Sequence, residues 1–332
     1  MTSVRRISRL AALLLLTVLV ATHVTESAAQ SVQWSTFRGN QNRTGHSAVD
    51  GPRNPDLHWS FDLQAEAYSS PAIDEDGTVV VGTDGAVVSI RPDGTQRWLS
   101  RIGGNAVSSP LISLGSVFIG ARDGRLYELN STSGSVASVA LGGEVWSSPI
   151  DIDGTVFVGA FGGRFFAVNQ QDLSVRFSVP AGDDNIVSSP AVGTGLSLVF
   201  GSVDGNVYSV LPGGTIDWTF PTQGEVVATP AIGPNGDIRV GSRDGLFYHL
   251  SAAGSSVSTY NTGSDIVASA ALSPRQQSFF GDLDGRFHGV SASGAALWQP
   301  FQADTSIISG AVLDGSGVLY FGTLNGTLYA LD

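Results

Sequence analysis

The sequence predicts an all-β fold, a seven-bladed β-propeller of four-stranded antiparallel blades, and three observations lead to it. A segment with the pattern Val-Ser-Ser-Pro, about ten further residues, then Gly-x-x-Asp-Gly-x-x-Tyr-x-Leu recurs roughly every forty residues. Each copy contains several short hydrophobic stretches bounded by turn residues, which is typical of a propeller blade. The glycine that closes the Asp-Gly turn marks seven copies, at positions 85, 124, 163, 205, 245, 285 and 326.

The second copy shows how one blade is built. Asp123-Gly124 supplies positive-φ geometry for a hairpin between the second and third strands, and Ser133-Gly134 does the same between the third and fourth. Pro110 lacks a backbone donor, which suits an inner strand because one of its edges faces the central channel. The four strands of this copy are predicted at 106–113, 116–121, 126–130 and 135–141.

The two ends of the repeat region predict how the ring closes. The seventh copy stops at Tyr329-Ala-Leu-Asp332, before any fourth strand. A spare fourth strand, Leu57-His-Trp59-Ser-Phe61, lies ahead of the first copy and matches Ile216-Asp-Trp218-Thr-Phe220. We therefore expect the N-terminal strand to pair into the last blade, so that the propeller occupies residues 57–332.

Residues 30–56 precede the repeats and show no hydrophobic periodicity. Five glycines and prolines mark turns in this stretch, and Trp34 and Phe37 are its two aromatic residues. We expect an irregular N-terminal extension that lies across the propeller and is anchored by these two aromatics.

The first 29 residues have the pattern of a secretory signal peptide. Arginines at positions 5, 6 and 9 precede an apolar run over 10–21, and Ser27-Ala28-Ala29 offers small residues for cleavage after Ala29. The apolar run is short for a transmembrane helix, although an uncleaved anchor stays open as an alternative. No cysteine follows the run, so no lipid anchor is expected. The predicted location is periplasmic or extracellular.

Composition excludes several classes of function. Removing residues 1–29 leaves 14 basic and 28 acidic residues, a net charge of −14, and such a field repels nucleic acid. The chain has no cysteine and no lysine, which excludes disulfides, thiolate catalysis, Cys-ligated zinc and lysine Schiff bases. We expect a monomer.

No metal or catalytic centre is predicted from the titratable residues. The histidines after residue 29 are His46, His58, His249 and His288, and none has metal-ligand spacing. The Asp-Gly pairs are explained by their hairpins. The pairs Asp74/Asp76 and Asp151/Asp153 come nearest to a calcium loop, but they fall where the first strand turns into the second, so we interpret them as turns.

One set of residues remains as a candidate binding surface. Seven-fold repetition places the residues five and three positions before each Ser-Ser-Pro proline, together with the Asp-Gly hairpins, on one face around the channel mouth. This rim is acidic, carries large aromatics and arginines, and resembles the surfaces that bind partners. The alternative is that these are solvated loop residues. The predicted binding rim consists of Glu66, Tyr68, Arg122, Glu144, Trp146, Phe161, Glu225 and Arg243.

The repeats carry a resemblance to a known family. The matching segments are Tyr68-Ser-Ser-Pro-Ala72 with Gly82-Thr-Asp-Gly85, Trp146-Ser-Ser-Pro149, Val187-Ser-Ser-Pro-Ala191 with Gly201-Ser-Val-Asp-Gly205, and Val227-Ala-Thr-Pro-Ala231 with Gly241-Ser-Arg-Asp-Gly245. They resemble the PQQ-like β-propeller repeat family, which includes quinoprotein alcohol dehydrogenases and BamB-like envelope proteins. The best-known members have eight blades, whereas this chain has seven copies. The vicinal cysteine pair of the dehydrogenases has no counterpart here.

The resemblance implies three hypotheses for function. The first is an exported, non-enzymatic propeller that binds a protein or peptide partner as a scaffold, in envelope assembly if its role resembles that of BamB. The second is a quinoprotein-type oxidoreductase or ligand-binding protein that holds PQQ with calcium. The third is a surface protein that recognises glycans through Tyr68 and Trp146. The first hypothesis requires no cofactor.

Overall fold

The computed structural model describes residues 34–51 and 57–332. Within these residues the chain forms seven antiparallel sheets, one for each sequence repeat, and the predicted seven-bladed β-propeller is confirmed. The predicted signal peptide lies outside the described residues, as do positions 52–56. Among the described residues there is no helix of the length and hydrophobicity that a membrane span requires.

Each blade runs in chain order from an inner first strand at the channel to an outer fourth strand. Blade 1 comprises β1 (Ala72–Ile73), β2 (Val79–Thr83), β3 (Ala86–Ile90) and β4 (Gln96–Arg101). Blade 2 comprises β5 (Leu111–Ser113), β6 (Ser116–Gly120), β7 (Arg125–Asn130) and β8 (Val136–Ala140). Blade 3 comprises β9 (Ile150–Ile152), β10 (Thr155–Ala160), β11 (Arg164–Asn169) and β12 (Val175–Pro180).

The inner strands of blades 4–7 have two residues each, as in blade 1, whereas those of blades 2 and 3 have three. Blade 4 comprises β13 (Ala191–Val192), a short 3-10 turn η1 (Thr194–Leu196), β14 (Leu198–Gly201), β15 (Asn206–Val210) and β16 (Ile216–Pro221). Blade 5 comprises β17 (Ala231–Ile232), β18 (Ile238–Gly241), β19 (Leu246–Leu250) and β20 (Ser256–Asn261). Blade 6 comprises β21 (Ala271–Leu272), β22 (Ser278–Gly281), β23 (Arg286–Val290) and β24 (Phe301–Gln302). Blade 7 comprises β25 (Val312–Leu313), β26 (Leu319–Gly322) and β27 (Leu328–Leu331).

The hydrophobic core lies between neighbouring blades. Second strands are buried on both faces because a blade packs against another on each side, and all six residues of β10 are buried. The glycine at the end of the second strand allows this close approach. A side chain on Gly201 would overlap with Val226 of the next blade, and one on Gly241 would overlap with Ile266 in the same way. The repeated glycine is therefore a packing requirement between blades.

The Ser-Ser-Pro motif links the blades around the channel. The first serine binds its own blade, since Ser108 Oγ accepts the backbone N–H of Gly120 at 2.7 Å. The second serine binds the preceding blade, since Ser148 Oγ accepts the N–H of Ser109 at 3.0 Å. The second type of bond recurs between successive blades from 1 to 6, through the acceptors Ser109, Ser148, Ser189, Thr229 and Ser269. The motif thus has a structural role.

Residues 34–51, which we call the strap, cross the end of the channel and bind six blades through their backbone. Strap carbonyls accept the N–H groups of the inner strands of blades 1, 2, 4, 5, 6 and 7 at 2.7–2.9 Å. The acceptor and donor pairs are Trp34 with Ile73, Ser35 with Ile112, Gln41 with Val192, Asn42 with Ile232, Thr44 with Leu272 and Gly45 with Leu313. In blade 3 the amide of Gln41 donates to the carbonyl of Asp151 at 2.8 Å.

Two buried arginines, rather than two aromatics, hold the strap in the channel. Trp34 and Phe37 are only partly buried, whereas Arg38 is 4% and Arg43 is 0% exposed. Arg43 donates to the carbonyls of Pro149 and Pro190 at 3.0 and 2.9 Å. Arg38 donates through Nη2 to the carbonyls of blades 6 and 7, at the position that proline holds elsewhere in the repeat. The expectation that the two aromatics anchor this segment is therefore corrected, since the buried arginines anchor it.

The closure of the ring also differs from the prediction. Blade 7 has three strands among the described residues, and positions 57–61 form neither a strand nor a ladder with β27. Trp59 nevertheless packs over Gly94 of blade 1, as Trp98 packs over Gly134 of blade 2. The segment therefore keeps the side-chain packing of a fourth strand without its hydrogen bonds, and the outer edge of β27 is left open, with Leu328 74% exposed.

Candidate functional site

The predicted rim residues lie on one face of the propeller because a backbone bond joins them in every blade. In each blade, a backbone N–H in the turn between the second and third strands donates to a carbonyl in the crossing that leads into the first strand. The acceptor lies five positions before the motif proline, or before the residue that replaces this proline in blades 6 and 7. Examples are Arg122 to Asn105 at 3.0 Å, Phe161 to Glu144 at 2.9 Å and Arg243 to Glu225 at 2.9 Å. The blade crossings and these turns therefore form a single rim, on the face opposite the strap.

Four of the predicted residues form one continuous stack over blades 1–3. The guanidinium of Arg122 lies between two rings, 5.5 Å from the centroid of Tyr68 and 4.8 Å from that of Trp146. Trp146 in turn stacks on Phe161, with the centroids 6.0 Å apart and the planes inclined by 16°. The order is Tyr68, Arg122, Trp146, Phe161, in which blade 1 contributes the first layer, blade 2 the second and blade 3 the last two. Such cation–π and stacking contacts fix the side chains before any partner arrives.

Two glutamates hold the edges of this stack. Glu144 Oε2 accepts the indole N–H of Trp146 at 2.7 Å, and Glu66 Oε2 accepts the hydroxyl of Tyr68. The hydrogen bond to Glu66 raises the pKa of Tyr68, so the phenol stays protonated at neutral pH. Both rings are thus fixed in orientation by a carboxylate that lies in the plane of the rim.

The other two predicted residues form a separate pair. Arg243 Nε lies 3.4 Å from Glu225 Oε2 in blade 5, where no aromatic residue joins them. Both side chains are more than 40% exposed, and an ion pair of that kind contributes little to stability. The predicted rim therefore divides into a stacked group of six residues on blades 1–3 and an exposed salt bridge on blade 5.

Sequence reasoning assigned packing roles to the histidines in blades 5 and 6, and both lie in polar clusters. His288 and Asp282 are buried, with Nε2 and Oδ2 3.0 Å apart, and Tyr260 contacts the other ring nitrogen at 3.3 Å. His249 lies 3.5 Å from Asp237, which is paired with the buried Arg239. Desolvation lowers the pKa of His249, so the ring is neutral at pH 7. The two His–Asp contacts lie within blades 5 and 6, and the Tyr260 contact joins these blades. In the blade 5 cluster, Asp237 Oδ1 and Arg239 Nη2 are buried without a hydrogen-bond partner among the described residues.

The described residues contain no group of three or more histidine or carboxylate side chains that could hold a metal ion. Of the two aspartate pairs that came nearest to a calcium loop, Asp74/Asp76 and Asp153 lie at turns, whereas Asp151 lies in strand β9 and bonds to blade 2. Asp76 accepts the N–H of Thr78 at 2.9 Å and pairs with Arg97 at 3.1 Å. Asp151 accepts the hydroxyl of Ser113 at 3.0 Å.

Residues that sequence reasoning missed lie on the opposite face. The strap and the turns of blades 4–6 line a groove of about 440 Å³ whose floor includes Ile232 and Leu272. The strap arginines were also missed, because nothing in a non-periodic segment distinguishes a buried arginine from an exposed one. The only available signal was the density of arginine, asparagine and glycine between Arg38 and Gly45.

Fold and site together define a β-propeller that presents a preorganised stack of aromatic and arginine side chains on one rim. A set of Tyr, Trp and Arg side chains that are exposed or partly buried and held by mutual stacking has the composition that binding surfaces favour.

Comparison with known proteins identifies the relatives. A family model described as outer membrane protein assembly factor BamB matches residues 47–148. The crystal structure of BamB from Moraxella catarrhalis superposes with a TM-score of 0.71 at 18% identity, over 82% of this chain and 85% of that one. The predicted resemblance to the PQQ-like, BamB-like propellers is thereby confirmed.

The fold is shared beyond this family. A chain of a mitotic checkpoint complex superposes with a TM-score of 0.64 at 17% identity, over 85% of this chain and 97% of that one. No curated protein matches the sequence. At these identities the structural matches show a common propeller fold, and function has to be argued from the site itself.

Proposed function

We propose that this protein is a non-enzymatic scaffold that acts outside the cytoplasm and binds a protein partner through the stack on blades 1–3. The observation that carries the proposal is the ordered series Tyr68, Arg122, Trp146 and Phe161. The matching family model is that of an outer membrane protein assembly factor, which makes envelope assembly the favoured setting.

A preorganised surface suits protein binding because little conformational entropy remains to be lost. Tyr68 is 51% exposed, and Arg122 is exposed as well. Their rotamers are nevertheless fixed by stacking and by the glutamates, so a partner does not have to order them. Binding hot spots are enriched in the same three residue types, Tyr, Trp and Arg.

The glycan hypothesis is less favoured because the indole has no free face. Arg122 covers one side of Trp146 and Phe161 stacks on the other. A sugar ring would have to displace one of them before it could stack on the indole. Tyr68 alone offers an open ring face, which is a small platform for a saccharide.

The quinoprotein hypothesis is less favoured because the residues in the channel do not fit the cofactor. PQQ with calcium needs an open cavity with converging carboxylate and amide groups. At the level of the motif prolines, the channel is filled by the guanidinium groups of Arg38 and Arg43, both bonded to carbonyls. A cationic, filled channel opposes calcium binding, and we propose no cofactor for this protein.

Affinity capture with matched variants tests the proposal. The full chain is immobilised as wild type, as Trp146→Ala/Phe161→Ala, and as Leu114→Ala, which removes an exposed apolar side chain on the opposite face. We expect at least one envelope protein to be captured by the wild type and by Leu114→Ala and lost with the double variant, whose fold is checked by circular dichroism. Equal capture by all three proteins would contradict the proposed role of the stack.

A further inference from the structure

We infer that the open face of Tyr68 is a receptor for a cationic side chain of the partner, so that the protein recognises an arginine-containing basic segment. The inference rests on the proposed function, since it assigns the chemistry of the partner that binds the same stack. It concerns a different part of the surface from Trp146 and Phe161, which makes the two separable by experiment.

The stack alternates cation and ring, and it ends on a ring. Arg122 covers one face of Tyr68, and within the described parts of the chain no second ring or cation stacks on the other. Tyr68 is the most exposed of the three aromatics of the stack, at 51%. The next layer in the same alternation is a cation, and a partner has to supply it.

Two carboxylates lie near the Tyr68 phenol. Glu66 accepts the Tyr68 hydroxyl, and the backbone N–H of Asp84 donates to the carbonyl of Glu66 at 3.0 Å. The Asp84 charge acts on the Tyr68 phenol, raising its pKa together with Glu66. Asp84 is exposed and is not paired with a cation in the described structure. A guanidinium that stacks on the ring would therefore find two carboxylate acceptors at its edges.

The rest of the rim favours the same charge. Its crossings and turns carry twelve carboxylates that are not buried, against Arg122, Arg243 and an arginine directly after each of three turns, of which Arg286 pairs with Asp284 at 3.1 Å. An electrostatic field of one sign accelerates association with oppositely charged partners, and added salt screens this field and slows the association. The carboxylates are Glu66, Asp84, Asp123, Glu144, Asp183, Asp184, Asp204, Glu225, Asp244, Asp265, Asp284 and Asp304.

Fluorescence anisotropy with a defined peptide tests the inference. The probe is a labelled heptapeptide of alternating glycine and arginine, and its control has citrulline, which is neutral and of nearly the same shape, in place of each arginine. We expect the full-length protein to bind the arginine peptide and not the citrulline peptide, with an affinity that falls as salt is raised. Absence of binding to the arginine peptide, or equal binding of both, overturns the inference.

Variants locate the site. Tyr68→Leu should weaken arginine-peptide binding by about fivefold, the size of an exposed cation–π contact, while Tyr68→Phe keeps the ring face and most of the affinity. Glu66→Gln/Asp84→Asn should weaken it by about fivefold or more. The single variant Glu66→Gln has Glu75→Gln as its matched charge control, since Glu75 lies in blade 1 but at the opposite end, and Glu75→Gln should leave affinity within about twofold. Equal effects of Glu66→Gln and Glu75→Gln would show only a general field and refute a site at Tyr68.

The outcomes separate the two proposals. If capture of the envelope partner depends on Trp146 and Phe161 but the arginine peptide does not bind, the binding function stands and the cationic receptor is wrong. If the peptide binds through Tyr68 but partner capture does not depend on Trp146 and Phe161, the inference of a cation receptor at Tyr68 is supported and the proposed docking surface is wrong.

Discussion

Replacement of Arg43 by methionine should destabilise the propeller more than any exposed arginine substitution. The side chain is fully buried and donates to the carbonyls of Phe37, Pro149 and Pro190 at 2.6, 3.0 and 2.9 Å, besides a longer contact to Ser148 at 3.3 Å. It also donates to the hydroxyl of Thr36 at 2.6 Å. Methionine fills much of the same volume but satisfies none of these acceptors.

The expected loss follows from those acceptors. Three short carbonyl bonds vanish, and each buried acceptor left without a donor costs about 1 kcal/mol at the lower end of the usual range. Carbonyls tolerate partial satisfaction, and the buried guanidinium no longer has to be desolvated, so part of the loss is recovered. Burial lowers the pKa of Arg43 to about 9, which shows this desolvation while leaving the group protonated at pH 7. We expect a net decrease of about 2–4 kcal/mol in the free energy of unfolding.

Urea unfolding followed by circular dichroism measures this loss, with Arg275→Met as the control at an exposed arginine. Amide exchange at Val192, Ile232 and Leu272 then reports on the strap directly, because these N–H groups donate to strap carbonyls. Faster exchange at the three amides in the Arg43 variant would accompany the loss. Surface substitutions usually change the free energy of unfolding by no more than about 0.5 kcal/mol. If both methionine variants stay within that range of the wild type, the buried guanidinium does not anchor the strap.

Two further predictions concern packing and pH. Gly201→Ala should destabilise by about 1–3 kcal/mol because its Cβ would overlap with Val226. Gly322→Ala, the same position in blade 7, has its nearest neighbour at 3.7 Å and should be tolerated in thermal unfolding, so equal melting temperatures for the two variants would refute the packing argument. For Asp314, burial raises the pKa, but hydrogen bonds from Gly51, Ser316 and Val318 outweigh it and hold the pKa at about 2, below the ordinary 3.8. Its contribution should be full above pH 3.8 and lost as the pH falls towards 2, so a stability difference from Asp314→Asn that does not shrink over this window would contradict the assignment.

Much of the propeller could be predicted from the repeat, because a pattern that is weak in one copy becomes clear when seven copies are compared. Gly124 has a φ of 79°, as the hairpin interpretation of Asp123-Gly124 requires. The resemblance of the 57–61 segment to a fourth strand is reflected in the packing of Trp59 over Gly94. It did not predict the missing ladder, because an aromatic pattern encodes which side chain packs and leaves the backbone register undetermined.

The site was predicted in part for a similar reason. Periodicity placed Tyr68, Trp146 and Phe161 on one rim, since equivalent positions in a ring lie at equal heights. It could not show that Arg122 reaches both neighbouring blades, which depends on the length and rotamer of one side chain. The strap arginines could not be predicted at all, because arginine is seldom fully buried and residues 34–51 have no second copy for comparison.

The strap has a consequence for how the chain folds. Arrays of repeats gain most of their stability from adjacent units and can unravel from an end. Here Arg38 bonds to Ala311, 273 positions away, and strap carbonyls bond to blades that are translated long afterwards. The segment near the start of the chain thus cannot complete its contacts until the final blade exists. The strap is synthesised before the blades but docks after them. Its docking should therefore join blades that are otherwise stabilised only by their neighbours into one unit that unfolds cooperatively.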